Sequence, residues 1–178
     1  MRVVGGRLGG RRLVAPSGRA TRPTPERVRE ALFSILGSVQ GARVLDLFAG
    51  SGALGIEALS RGAASATLVD SSAAAVSAIR RNLESLGLDA EVRRQRTAAY
   101  LQGAREDERQ YDLVFLDPPY RLAAALGLEH SAALEPVLAP AARVVAESDR
   151  RAPLELTTLT LTDERRYGDT LIRIYGPR

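Results

Sequence analysis

From residue 42 the chain alternates short apolar runs with stretches of helical period, and each run stops at an acid, a glycine or a proline. ARVLDLF (42–48) stops at Gly50-Ser51-Gly52, SATLVD (65–70) at Asp70, and YDLVFLD (111–117) at Pro118-Pro119. Between them, Leu54, Ile56 and Leu59, and then Val76, Ile79 and Leu83, fall at helical spacing. A weaker strand is expected at 90–94, a short helix at 97–103, and a largely helical stretch at 121–138 interrupted near Gly127. RVVAES (143–148) reads as another strand, and two late β segments, 154–161 and 170–175, read as a terminal hairpin. Strand–helix alternation of this kind builds a mainly parallel sheet with helices on both faces. Ligands on such sheets sit beyond the carboxyl ends of the strands, where the strand order switches. The residues to weigh are therefore Asp46–Gly55, Asp70 and Asp117–Tyr120.

What precedes residue 42 differs in character. Residues 1–20 hold two β-prone runs joined by Gly5, Gly6, Gly9 and Gly10, which predicts a small hairpin extension; residues 21–178 form the domain proper. Pro16 to Pro25 is turn-rich. Thr24 is expected to cap a helix that has Pro25 at its first position and runs to about Leu36. Residues 1–30 carry eight arginines against Glu26 and Glu30, a net +6, while the whole chain is only +4. A basic segment on a near-neutral body attracts polyanions, and guanidinium forks pair with phosphate. Taken alone, such a segment is equally a solvated tail.

Composition narrows the chemistry. The 178 residues suit one domain of ordinary size. There is no cysteine, which excludes thiolate metal sites and every route through a cysteine nucleophile, including carbon-5 methylation of pyrimidines. A single His, His130, excludes a multi-histidine metal site, so no metal is expected. No apolar run reaches the ~20 residues of a membrane span, and the basic N-terminus lacks the apolar core of a secretory signal. The expected location is the cytoplasm, with no membrane partner and a monomeric state.

Gly50, Gly52 and Gly55 match G-x-G-x-x-G between a strand and a helix, a weakly specific pattern. A dinucleotide would set its pyrophosphate on the helix N-terminus. S-adenosylmethionine carries an ammonium and a sulfonium instead of phosphate. Asp46, four residues before Gly50, suits the cationic ligand better, although it is equally an acid that fixes loop amides. Asp70 can take two ribose hydroxyls in either ligand, or cap the helix beginning near Ser72.

Asp117-Pro118-Pro119-Tyr120 carries more information. Two prolines stiffen the strand end and cannot donate backbone hydrogen bonds, so their carbonyls are free to accept. A carboxylate and a proline carbonyl together can hold both hydrogens of an exocyclic amine, while Tyr120 stacks on its base. The lone pair of such an amine is delocalised into the ring, and acceptors on its hydrogens turn that lone pair towards a methyl donor. Pro-Pro alone would read as a strand-ending turn; beside Asp46 and the glycine loop it reads as a site.

DLFAGSGALGIEALSRGA (46–63) with DPPY (117–120) resembles the class I S-adenosylmethionine-dependent amino-methyltransferases. RPTPERVREALFSIL (22–36), preceded by MRVVGGRLGGRRL, narrows the resemblance to the RsmD family, which methylates the N2 amine of a guanine in bacterial 16S ribosomal RNA. It spans nearly the whole chain, to RRYGDTLIRIY (165–175). It implies a Rossmann-like α/β fold whose seven-stranded sheet has a reversed last strand. It implies cofactor contacts from Asp46, Phe48, Gly50, Gly52, Asp70, Thr24 and Arg22, and catalysis at Asp117, Pro118, Pro119 and Tyr120. It further implies that Arg2, Arg7, Arg11, Arg12 and Arg19 of the extension hold RNA, the expected partner being 16S rRNA within an assembling small ribosomal subunit. The chain departs from the family pattern at Ser72, where a second ribose-side acid is common, and at Arg96 or Thr97, where an acid beside the adenine is common. His130 reads as a surface or packing residue, Glu57 as a helix-face residue, Glu147 as a possible lining of the cleft, and Arg80-Arg81 and Arg93-Arg94 as solvated faces. The competing readings are an adenine-N6 enzyme with a similar loop, an NAD-dependent oxidoreductase, and a non-catalytic RNA-binding module.

Overall fold

The computed structural model describes residues 1–18, 24–119, 127 and 129–178. In chain order the elements are α1 (Glu26–Leu36), β1 (Arg43–Leu47), α2 (Ala53–Ser60), β2 (Ser65–Asp70), α3 (Ala73–Leu86), β3 (Glu91–Arg94), α4 (Thr97–Glu106), β4 (Tyr111–Leu116), β5 (Leu138–Asp149), β6 (Thr160–Tyr167) and β7 (Thr170–Gly176). The seven strands form one sheet in the order β3-β2-β1-β4-β5-β7-β6. The pairs among β1 to β5 are parallel, and β7 runs antiparallel between β5 and β6. The order reverses between β1 and β4, so the switch point lies where their carboxyl ends meet.

The two-residue period of the strands divides the core. Val44, Leu68, Leu113 and Phe115 face one layer with α1, α2 and α3; Leu45, Leu47, Val69, Val114 and Leu116 face the other with α4. Both faces are covered, which is why these strands read as nearly unbroken apolar runs.

The extension is a hairpin that packs on the domain. Arg2 and Arg12 form an antiparallel bridge around a short 3-10 turn at Gly6–Leu8. Val3 and Leu13 point into the first core layer and are 1% and 6% exposed. Glu57 fixes the hairpin from α2: its two oxygens accept the N–H groups of Val4 and Gly5, each at 2.7 Å.

Four expectations are corrected. Thr24 does not cap α1; Pro25 occupies the N-cap position and the Thr24 hydroxyl turns to two carboxyls instead. Helix α4 continues to Glu106, and β5 begins at Leu138 rather than 143. The first strand of the terminal hairpin is 160–167, not 154–161. Leu154, Leu156 and Leu159 are buried from a loop, whereas the charged run TDERRY forms the sheet edge. Pairing with β7 overrides its weak propensity, with Arg173 donating to Glu164 across the pair at 2.8 Å. Of the expected helix at 121–138, only residues 127 and 129–134 are described as helical, followed by a 3-10 turn at Glu135–Val137. No described helix is long and apolar enough to cross a membrane.

Candidate active site at the carboxyl ends of the central strands

Three strand ends supply the site. In the registers, Leu47 of β1 lies beside Leu116 of β4, and Leu116 lies beside Ala146 of β5. The residues that follow, Phe48, Asp117 and Glu147, therefore emerge side by side.

The loop after β1 is held from several directions. Asp46, 1% exposed, accepts the Gly55 N–H at 2.9 Å through Oδ2. Burial pushes its carboxyl up to about 7 despite that bond, and the charge of Asp70 adds to the shift. Gly52 has φ +78°, and a Cβ there would lie 2.9 Å from Leu68 Cδ2, so this position takes only glycine without strain. Phe48 also has a positive φ, 61°, an unusual conformation for a bulky residue. The Gly50 N–H donates to Asp70 Oδ2 at 2.9 Å, and Asp70 Oδ1 accepts the Ser72 N–H at 2.8 Å. Capping of α3 falls to Ser72, whose Oγ accepts from Ala75 N–H. Asp70 thus keeps further lone pairs for hydroxyl groups.

Asp117 and Glu147 meet over one hydroxyl. Thr24 Oγ1 is 2.8 Å from Glu147 Oε2 and 3.2 Å from Asp117 Oδ2. Burial, with Glu147 and Asp46 nearby, holds the Asp117 carboxyl well above the usual carboxylate range. Burial raises Glu147 as well. A hydroxyl has one proton to give, so two carboxyl contacts on it call for a proton on one of the acids. The raised affinities agree with that count. Pro118 is buried and Pro119 half-buried beside Asp117. Glu147 is thus brought fully into the site. Tyr120, Arg22 and Arg19 lie outside the described residues.

At the far side, Thr97 opens α4 after β3, and its Oγ1 is 2.7 Å from His130 Nε2, both groups buried. The His130 ring lies 5.9 Å from that of Phe48. His130 is therefore a packing residue and not a surface one. Arg2, Arg7, Arg11 and Arg12 are exposed on the hairpin. Among the described residues no acid pairs with any of them.

Glu57, Arg29 and Asn82 escaped sequence reasoning as structural anchors. Each is a polar residue at a buried position of an otherwise apolar helix face, and that break in the period was the available signal. Among the described residues no cluster of acids and histidines could hold a metal ion.

The model of the family described as conserved hypothetical protein 95 matches residues 1–176. The chain is 39% identical to a putative rRNA methyltransferase, YlbH, of Bacillus subtilis, with all of both chains covered. It is 32% identical to ribosomal RNA small subunit methyltransferase D of Haemophilus influenzae, over 98% of this chain and 93% of that one. The solved structure of the putative methyltransferase yhhF from Escherichia coli superposes with a TM-score of 0.84 at 36% identity, covering 100% of this chain and 98% of the other. The chain belongs to this family, the RsmD family that its motifs resemble, and has its Rossmann-like methyltransferase fold.

Proposed function

We propose that this chain transfers a methyl group from S-adenosylmethionine to the exocyclic N2 amine of a guanine in 16S rRNA, acting as a monomer on an assembling small ribosomal subunit. The rRNA class is supported by the names of the full-length relatives. The choice of guanine N2 rests on the resemblance of residues 22–36 and 117–120 to the family. One observation carries the chemistry: the register of β4 between β1 and β5 sets Asp117 and its prolines beside Asp46 and Glu147.

The residues present fit the cofactor. The segment 46–55 contains an aspartate and no arginine, and Asp46 lies buried at its base. A pyrophosphate would meet that acid; an ammonium and a sulfonium are attracted to it. S-adenosylmethionine supplies an electrophilic methyl carbon when bound. Asp46 faces its cationic end, and Asp70, oriented by Gly50 and Ser72, takes the ribose hydroxyls. The target guanine leaves its stack to enter the cleft. Asp117 and the Pro118 carbonyl accept the two amine hydrogens and aim the nitrogen lone pair. Tyr120 and Phe48 are assigned to pack on the base. As the N–C bond formed, the methyl–sulfur bond would break with its electron pair staying on the sulfur as a neutral thioether, and the amine would shed one proton to a carboxylate oxygen of the Asp117–Thr24–Glu147 group.

Arg2, Arg7, Arg11 and Arg12 of the hairpin, together with Arg19, hold the RNA backbone. Replacing Arg7 and Arg12 with Ala should lower the slope of log affinity against log salt by about 1–2, with cofactor affinity unchanged. Asp117→Ala is expected to bind cofactor in calorimetry yet transfer no methyl group; unchanged turnover would remove Asp117 from its role. Mapping methylated bases in ribosomal RNA from a deletion strain tests the substrate. Loss of one N2-methylguanine supports the reading, and loss of an N6-methyladenine in its place refutes it.

A further inference from the structure

Asn82 sits on the buried face of α3, between Ile79 and Leu86, and is 1% exposed. An amide there is costly unless its polar atoms are satisfied. It satisfies them on two separate parts of the chain. Its Oδ1 accepts the Val14 N–H at 2.8 Å, and its Nδ2 donates to the Val14 carbonyl at 3.0 Å. Both backbone groups of Val14, at the end of the basic hairpin, are thereby held as a neighbouring strand would hold them. The same Nδ2 donates to the carbonyl of Ser51 at 2.9 Å. Ser51 is the residue between Gly50 and Gly52, at the centre of the cofactor loop.

That loop needs anchoring from outside. Gly50 and Gly52 both have positive φ, and glycine backbones have few steric wells to fix them. Asp70 holds the loop at Gly50, and Asn82 holds it at Ser51. One rotation of the Asn82 amide therefore changes the hairpin and the loop together. Arg11, three residues before Val14, also reaches α3, where its Nη2 donates to the Ser85 carbonyl at 3.0 Å. An anion drawn to Arg11 acts on the same contact between the hairpin and α3.

We infer that Asn82 is a positioning residue that couples docking of the basic hairpin to the shape of the cofactor loop, so that RNA on the hairpin and cofactor over the loop strengthen each other's binding. This rests on the reading of the hairpin as the RNA-holding element. Coupling of this kind is reciprocal, and its usual size starts at about fivefold.

The test uses the full chain and small ribosomal subunits isolated from a deletion strain, whose 16S rRNA carries the unmethylated guanine. S-adenosylhomocysteine replaces the methyl donor so that no turnover occurs. In the wild type, saturating subunits should tighten S-adenosylhomocysteine binding about fivefold or more, and saturating S-adenosylhomocysteine should tighten subunit binding by the same factor. Val14→Pro removes the N–H that Asn82 accepts and fixes φ, at a residue that is 45% exposed. It should leave each ligand's separate affinity near the wild-type value and bring the coupling factor towards one. Asn82→Asp loses both donors and sets a carboxylate against the Val14 and Ser51 carbonyls, so it should also weaken S-adenosylhomocysteine binding without RNA. Subunits that bind the wild type but leave S-adenosylhomocysteine affinity unchanged overturn the inference alone, as does full coupling retained in Val14→Pro. A wild type that binds no such subunits overturns the RNA reading beneath it.

Discussion

Glu57 and Glu147 show how much one buried carboxylate can organise. Glu57 accepts from Val4, Gly5 and Arg61 Nε, the last at 2.8 Å, and stands 3.8 Å from Arg29 Nη1. Arg29 is itself fully buried; its Nη2 donates to the Arg2 carbonyl, while Nε and Nη1 have no hydrogen-bond partner. Its charge is balanced chiefly by Glu57. Glu57→Gln should therefore destabilise the chain by about 3–5 kcal/mol in urea unfolding, because it leaves a buried charge uncompensated. Adding Arg29→Met should recover part of that loss. At Glu147 the expected effect is on rate as well as on stability. In the proposed role Asp117 is ionised when it holds the amine, and burial, with the neighbouring charge of Glu147, raises its pKa. Glu147→Gln keeps an acceptor for the Thr24 hydroxyl and removes that charge. The acid limb of the pH–rate profile should move to lower pH. A limb that stays in place would separate Glu147 from the titration of Asp117.

Among the elements, the glycine loop gives the sharpest contrast. A Cβ at Gly52 meets Leu68 Cδ2 at 2.9 Å and Ile79 Cγ1 at 3.3 Å, whereas one at Gly50 meets nothing closer than the Phe48 carbonyl at 4.0 Å. Both have positive φ. Gly50→Ala should cost only the backbone strain, about 1 kcal/mol, while Gly52→Ala adds a core clash of roughly 1–3 kcal/mol and shifts α2. Thermal unfolding of the two variants side by side measures the difference. This loop was legible in the sequence because the strand, the glycines and the helix that follows obey local rules. So was α3, from Val76, Ile79 and Leu83 at helical spacing, although its cap is Ser72 and not Asp70. What was not legible depends on partners distant in the chain. Thr24 looks like a helix cap until Glu147, 123 residues away, competes for its hydroxyl. TDERRY looks like a loop until β7 pairs with it, and the apolar 154–159 run looks like a strand until the second core layer takes its leucines. The candidate site was legible in outline because the acids fall at strand ends, but the proximity of Asp117 to Glu147 follows from strand order, which no local pattern specifies.

The molecule as a whole sets a basic hairpin against an acidic cleft, and the cleft gives it an unusual proton balance. Asp112, Glu91 and Glu164 are lowered by hydrogen bonds to arginines. Such acids add stability above their unfolded pKa, and that stability is lost as pH falls through their lowered values. Asp46, Asp117 and Glu147 act in the opposite sense, since burial raises all three. Between the ordinary carboxylate range and about 7, the value for Asp46, the unfolded chain has released protons that the folded chain still holds. Their contribution to stability therefore falls as pH rises through that window. Asp46→Asn should raise the melting midpoint at pH 8 and leave it nearly unchanged at pH 4, where the native carboxyl is already protonated. The same charge is the one proposed to attract the cofactor's ammonium, so the variant that gains stability should lose cofactor affinity. A cationic ligand binds the ionised form of Asp46, which makes binding near neutral pH release protons and makes affinity rise with pH through about 7. Calorimetric titrations of S-adenosylmethionine at pH 7 in buffers of different ionisation enthalpy should give heats that vary with the buffer in the wild type and not in Asp46→Asn. Buffer-independent heats in the wild type would mean that Asp46 is already ionised before the ligand arrives.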